Sequence, residues 1–307
     1  MSHPPAANHV HSTALNALLA ALCACVGIWS LWLLPLTLPR HPLAAWSLMA
    51  VALFTTTWWS VIHEAIHGLL FPKRAVNDAA GRVLAVLFGL PFQPVAFGHL
   101  FHHRRNRSRL DRAEVYPKQA PKLGTVLDYY ARLLGGLYLA ELALCLLVWL
   151  PRPRLMRLVA RRFDGAGLST EGKLLQRTIL DPRTLRSIRF DAAYVLLCVL
   201  SSGWLYGRHA WLLALLLFGR GLLISVMDNA YHYGTPLDAP RYALNLGLPR
   251  PLSVLILHFN LHRQHHLHPA TSWRELPQLF AEAQDRYDGG YLRLALRQLR
   301  GPLFQDP

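Results

Sequence analysis

Three short histidine stretches, set apart by long apolar runs, constrain this chain more than any other feature. They are His63-Glu64-Ala65-Ile66-His67, His99-Leu100-Phe101-His102-His103 and His262-Arg263-Gln264-His265-His266. On a helix, residues i, i+3 and i+4 share one face about 5–6 Å apart. His-x-x-His-His therefore predicts three imidazoles pointing the same way, and His-x-x-x-His predicts two. Imidazole is the commonest metal-ligating side chain near pH 7. If the three stretches serve one site, they must meet on one side of whatever the apolar runs cross.

The apolar runs are compatible with that demand. Residues 14–34 and 43–62 each approach the ~20 residues that a bilayer requires, and Pro35, Pro39 and Pro42 turn the chain between them. Residues 190–206 and 211–227 form a second hairpin around a turn at 207–210. Two hairpins return the chain to the side where it began. The expected fold is an all-α membrane protein of two transmembrane helical hairpins, four spans, with interfacial helices. A cytoplasmic cap (63–125, 151–189 and 228–307) holds a histidine-rich di-metal site, and residues 1–307 form a single domain. The stretch 83–97 is interrupted by Pro91 and Pro94 and reads as interfacial or re-entrant. Residues 133–150 are long enough to cross once. A single crossing would put the third histidine stretch on the wrong face and export 151–189, which has nine Arg, one Lys and three acidic residues. Positive-inside bias opposes that export, so 126–150 is expected to be a monotopic helix or shallow hairpin on the cytoplasmic side.

Composition agrees. With 53% hydrophobic residues and a mean hydropathy of +0.23, the chain suits a membrane protein with a large polar cap. The net charge of +15 comes from basic residues flanking apolar segments, which fits anionic lipid headgroups; no nucleic-acid recognition motif accompanies it, so no nucleic-acid partner is expected. The cysteines (Cys23, Cys25, Cys145, Cys198) lie in apolar runs without a Cys-x-x-Cys pair. This argues against a disulfide framework, a zinc knuckle or an iron–sulfur centre. Residues 1–12 hold His3, His9 and His11 but no Lys or Arg; they read as a disordered terminus rather than a secretory leader.

Of sixteen histidines, three lie in that terminus and His41 and His209 in the outer turns; the other eleven share the cytoplasmic stretches. One metal takes about four to six ligands, so the eight histidines of the three stretches imply two metals. Structural zinc prefers four tetrahedral ligands, usually with Cys. Histidine-rich paired sites with open positions suit iron and oxygen chemistry.

In order and spacing the three boxes resemble those of the integral-membrane di-iron fatty acid desaturase and hydroxylase superfamily. The likeness covers most of the chain: two boxes after the first hairpin, one after the second. In the acyl-CoA desaturases an extra histidine lies before the last box, with Asn four residues ahead of it. Here His232 matches that histidine, but Asp228 stands four residues before it and Asn229 three. The implied metal set is His63, His67, His99, His102, His103, His232, His262, His265 and His266. Asp228, Asn229 and His258 are candidates for further ligation or for orienting imidazoles, as Glu64, Asp111 and Glu114 are for orientation. The resemblance implies two non-haem iron ions, with O2 as co-substrate. It implies oxidation of an unactivated C–H bond in a fatty acyl chain held in a narrow apolar tunnel. Desaturation is the leading outcome; hydroxylation and oxidative decarboxylation to a terminal alkene are alternatives on the same site. Arg104, Arg105 and Arg220 are headgroup candidates, with snorkelling toward lipid as the other reading of Arg220. No ferredoxin-type Cys cluster, dinucleotide fingerprint or fused haem motif is present. Electrons are therefore expected from an external acidic ferredoxin or cytochrome docking on the basic face. The expected location is a bacterial inner membrane, with the boxes cytoplasmic.

Two rivals compete. His63-Glu64-x-x-His67 is also the zincin pattern, so an intramembrane zinc metalloprotease would use His63 and His67 as ligands and Glu64 as base; it leaves six box histidines unexplained. A metal transporter would place its histidines within the spans, which hold almost none.

Overall fold

A computed structural model describes residues 7–108, 111–164 and 169–305. Helix α1 (Ala7–Ile28) runs through a π-helical turn, Trp29–Leu33, into α2 (Leu34–Thr37). The widened turn lies just ahead of Pro35, which has no N–H to donate. Because α1 starts at Ala7, His9 and His11 fall in its first turns rather than in a loose tail; His3 lies outside the described residues. The second span is bent: α3 (Ser47–Leu53) and α4 (Thr55–Ile66) meet at 45°, and helix continues four residues past the expected end at Ile62.

Helices α5 (Arg74–Phe88) and α6 (Phe92–Arg105) meet at 103°. The corner is Gly89, with φ 101°, followed by Pro91; a left-handed residue and a missing N–H together end α5. Pro94 does not interrupt the segment as expected. It sits in the first turn of α6, where its nitrogen needs no partner.

Residues 126–150, expected as a monotopic helix or shallow hairpin, form a broken helix. Helices α7 (Lys122–Ala131) and α8 (Leu137–Leu147) are joined through Arg132–Gly136, where Leu134 and Gly135 leave helical geometry (Gly135 φ 112°). Gly135 abuts Gly221: a Cβ on Gly221 would stand 3.2 Å from the Gly135 carbonyl oxygen. Two missing side chains thus let the broken helix rest directly on another helix. After α9 (Arg152–Asp164) and α10 (Ser169–Thr178), helix α11 (Pro182–Tyr206) begins eight residues earlier than expected, because Asp181 caps it by accepting from the backbone N–H groups of Arg183 and Thr184, with Pro182 at the first position. The chain turns at Gly207 into α12 (Ala210–Ala230), which carries Gly221. Tyr206 donates to Ser30 O (2.8 Å) and Trp32 to Ser201 Oγ (3.0 Å), tying the second hairpin to the first helix.

By length and composition, Thr13–Thr37, Lys122–Leu147 and Pro182–Ala230 can cross a membrane, and each of the two bent pairs passes if taken as one span. The remainder is a helical cap with two minimal parallel strand pairs among the described residues. β1 (Val115–Pro117) pairs with β4 (Leu303–Gln305), and β2 (Leu246–Gly247) with β3 (Gly289–Gly290). Helices α13 (Arg250–Leu255), α14 (His262–Leu267), α15 (Leu276–Glu282) and α16 (Tyr291–Arg297) complete it. The main core, which includes Trp58, Ile62, Phe88, Tyr138, Met227 and Tyr231, joins the membrane-type helices to this cap. The four cysteines are free, and all but Cys25 are buried.

Candidate metal centre

Four segments converge on the space between helices and cap. The end of α4 supplies His63 and His67. Asn77 fixes that end: its amide donates to Ala65 O (2.8 Å) and its oxygen accepts from Leu70 N (3.1 Å). Helix α6 supplies His99, His102 and His103, the turn after α12 supplies His232, and α14 supplies His262, His265 and His266.

The nine imidazoles fall into two groups. His63, His67, His99, His103 and His265 form one; His102, His232, His262 and His266 form the other, with the ligand atoms of each group within 4.8 Å of one another. The expectation that each His-x-x-His-His points three rings the same way is corrected here. Residues i and i+4 lie about 40° apart around a helix, whereas i+3 and i+4 are about 100° apart. So His99 and His103 serve the first group while His102 turns to the second. In the late box the division is mirrored: His262 and His266 serve the second group and His265 the first.

Within the first group, Nε2–Nε2 separations are 3.0 Å for His63–His265, 2.9 Å for His67–His99, 3.0 Å for His99–His103 and 2.9 Å for His103–His265. Nitrogens ~2.1 Å from a common ion are about 3.0 Å apart along an octahedral edge and about 3.4 Å along a tetrahedral one. The first group matches the octahedral edge. In the second, His102–His266 and His262–His266 are both 3.2 Å. His232 has both ring nitrogens buried without a protein partner, as has the Nδ1 of His262. Buried polar atoms are rarely left so, and one free nitrogen of His232 fits a bound cation, whereas His262 meets the group through its Nε2. Burial first, then neighbouring imidazoles, hold His232, His262, His265 and His266 well below the ordinary imidazole range. Burial lowers His67 to about 4. These rings are therefore neutral near pH 7, the form that donates a lone pair, whereas at His102 burial is outweighed by the hydrogen bond and charge of Asp111, which raise it.

The third box is held by residues whose role the sequence did not disclose. Helix α14 has only six residues, too few to be stable alone. Arg263 anchors it, reaching Asp285 Oδ1 (2.7 Å) and Asp288 Oδ1 (2.5 Å). Gln264 donates to Asp285 Oδ2 (2.6 Å), and Asn245 Oδ1 accepts from Arg263 N (3.1 Å). The positions between the histidines of the box thus face outward into a polar clamp. Partial burial works to raise Asp285, but hydrogen bonds from Arg286 N and Gln264 and the charge of Arg263 outweigh it and hold the carboxyl low. Arg263→Lys is expected to weaken metal retention about 10–100-fold, because an ammonium cannot span both carboxylates. A competitive chelator titration measures this; unchanged retention would show that α14 needs no such anchor.

The remaining candidates separate clearly. Asp111 Oδ2 lies 2.5 Å from His102 Nδ1, where it can orient that ring. Asp228 is not gathered into either group, and its side chain opens into an adjacent cavity. Asn229 donates to Gln298 Oε1 (2.7 Å). His258 pairs with Ser253 Oγ (2.8 Å), outside both groups. Glu64 accepts from Trp273 N (3.4 Å), and Glu114 pairs with buried Arg107. Arg104 and Arg105 are exposed. Arg220 is 2% exposed, donates to Phe88 O (2.7 Å) and lies over the Phe88 ring (4.4 Å), so it neither snorkels nor is available to a headgroup.

The bundle has helices of membrane-spanning length, and nine converging imidazoles cap it in two groups, each able to hold a metal ion. The sequence profile of the fatty acid desaturase family matches residues 40–297, and the chain belongs to that family. No curated protein matches the sequence. Membership makes the protein an oxidoreductase of the desaturase/hydroxylase type, with a lipid substrate and a membrane setting. It also displaces the zinc-protease reading, as does the geometry: His63 and His67 share their site with three more imidazoles.

Proposed function

We propose that the protein is a non-haem di-iron oxidase that uses O2 to desaturate a fatty acyl chain. The observation that carries this reading is the five-plus-four division of nine imidazoles, with edges of 2.9–3.2 Å. His63, His67, His99, His103 and His265 would hold one iron, and His102, His232, His262 and His266 the other. When bound, the irons supply redox chemistry with O2 strong enough to break an unactivated C–H bond. The residues around them hold the rings in place and limit water access. Asp111 holds the His102 ring from its Nδ1 side, the arrangement that raises the basicity of a ligating nitrogen. Which methylene reacts is a matter of positioning, since neighbouring C–H bonds differ little in strength.

In this reading the histidines face the cytoplasm of a bacterial inner membrane, on the side of the arginine-rich segment 151–189, and 126–150 does not cross. Electrons come from an external ferredoxin or cytochrome. The test is expression in a desaturase-free host, with iron and an electron donor supplied, followed by analysis of membrane lipids and headspace gas. New double bonds are expected. Hydroxy acids or volatile alkenes would reassign the reaction to hydroxylation or decarboxylation. Absence of every oxidised product, or one zinc in place of two irons per chain, would overturn the proposal.

A further inference from the structure

The last helix of the cap has three chemically distinct faces. In α16 and the 3-10 turn that extends it, Gln298–Arg300, the side chains of Leu294, Ala295 and Gln298 are buried. Leu292, Leu296 and Leu299 recur at i, i+4 and i+7, so they share a second face, and they are 69%, 52% and 53% exposed. Arg293, Arg297 and Arg300 repeat that spacing one residue on, about 100° around the helix, and are exposed as well. A cleft of about 550 Å³ runs along the arginines. The acid in its wall, Asp288, is already held by Arg263, and Arg293 and Arg300 form no ion pair among the described residues. Exposed apolar side chains in one row mark a surface that something covers.

Two anchors fix where this row lies. Gln298 donates to Val226 O (2.9 Å) and accepts from Asn229 (2.7 Å), which ties the turn to the end of α12 and so to the end of a segment of membrane-spanning length. Tyr129 donates to Gln298 O (2.7 Å) and Tyr130 to Leu299 O (2.9 Å), which ties the turn to α7. Helix α7 begins another such segment, Lys122–Leu147, so its first turns lie at the membrane surface whether that segment crosses or lies flat. Exposed Leu123 and Leu127 stand at i−7 and i−3 from Tyr130, on the same face of α7. The leucines of α7 and α16 thus adjoin at Tyr130, next to the ends of two segments of membrane-spanning length. We propose that α16 is a membrane-docking helix: Leu292, Leu296 and Leu299 enter the boundary between headgroups and acyl chains, and Arg293 and Arg300 bind the phosphates of anionic phospholipids. Charge decides the occupant. An arginine row beside a leucine row matches a negatively charged lipid surface, with guanidiniums on phosphate and apolar side chains below them. A second copy of this chain, meeting the same patch with its own, would bring more arginines to it and no counter-charge.

The experiment places a nitroxide label at Leu296→Cys in a Cys25→Ser background, the other three cysteines being buried. The full chain is reconstituted into nanodiscs of phosphatidylcholine, alone or mixed with phosphatidylglycerol. Collision of the label with oxygen, which concentrates among acyl chains, is expected to exceed collision with a water-soluble nickel chelate, and the excess is expected to grow with phosphatidylglycerol. The variant Arg293→Gln/Arg300→Gln tests the charge and spares Arg297, whose guanidinium lies over the Tyr233 ring (5.9 Å). A basic residue near an anionic surface is worth about fivefold in binding, so this double variant is expected to lower the preference for phosphatidylglycerol over phosphatidylcholine at least ~10-fold in native mass spectrometry. Metal content and unfolding midpoint should match the parent, because the substituted positions are exposed. A label reached as readily by the nickel chelate as by oxygen in both nanodiscs, or an unaltered lipid preference in the double variant, would overturn the proposal. So would a label shielded from both reagents in particles that hold two copies, which would give the leucine face to a second chain.

Discussion

His265→Ala is expected to abolish oxidation and to release at least one metal per chain while the fold persists. His265 is the one residue of the late segment that serves the first group. Its Nε2 lies 3.0 Å from His63 and 2.9 Å from His103, so it closes a ring of ligands otherwise drawn from α4 and α6. Altering a residue that merely orients a metal ligand costs about 10–100-fold in affinity or activity, so removing the ligand itself should exceed ~100-fold. The substitution exposes no apolar surface, and α14 keeps its Arg263 clamp; circular dichroism and size-exclusion profiles should therefore match the parent. Metal analysis with an activity assay checks the claim. A variant that kept both metals and turned over normally would refute the assignment of the first group. His266→Ala should produce the complementary loss from the second.

The largest expected effect on stability is at Glu114. Glu114 is 0% and Arg107 1% exposed, and they form an ion pair of 2.7 Å. Arg107 also donates to Thr235 O (3.0 Å), Glu114 Oε1 accepts from Gly234 N (3.2 Å), and the Glu114 carbonyl accepts from Leu303 N (2.7 Å). The pair therefore joins the segment after the second box to the turn after His232 and to the C-terminal strand. Glu114→Ala leaves a buried guanidinium without its counter-charge, which costs about 3–5 kcal/mol. A chemical or thermal unfolding midpoint in detergent should fall accordingly. The double variant Arg107→Met/Glu114→Leu should recover much of the loss, because buried ion pairs are weak net stabilisers against well-packed apolar replacements. A single variant within ~0.5 kcal/mol of the parent would place the pair among ordinary surface contacts instead.

Much of this architecture is legible from local pattern. Apolar runs near bilayer length and prolines between them mark the hairpins, because a lipid-exposed backbone must satisfy itself within a helix. Spacing marks the histidines, because helical periodicity is local. Local pattern fails where two distant segments decide the outcome. The division of each box between two groups depends on where α6 and α14 cross, not on either box alone. The break at Gly135 follows from contact with Gly221, 86 positions away by their numbering. Arg220 reads as a membrane-depth charge, yet it is absorbed by the Phe88 carbonyl and ring. Arg263 reads as spacer between ligands, and only the fold brings Asp285 and Asp288 to it.

The sequence by itself determined which imidazoles were candidates, that they must share one face, and the family to which such a chain is similar. Hydropathy and helical spacing are properties of neighbours along the chain. The tertiary structure alone decided that the nine rings form five and four, which acids and arginines surround them, and that a row of leucines on α16 stays exposed beside the membrane-type helices. Those features arise from helix crossings, whose angles are set by side chains far apart in sequence.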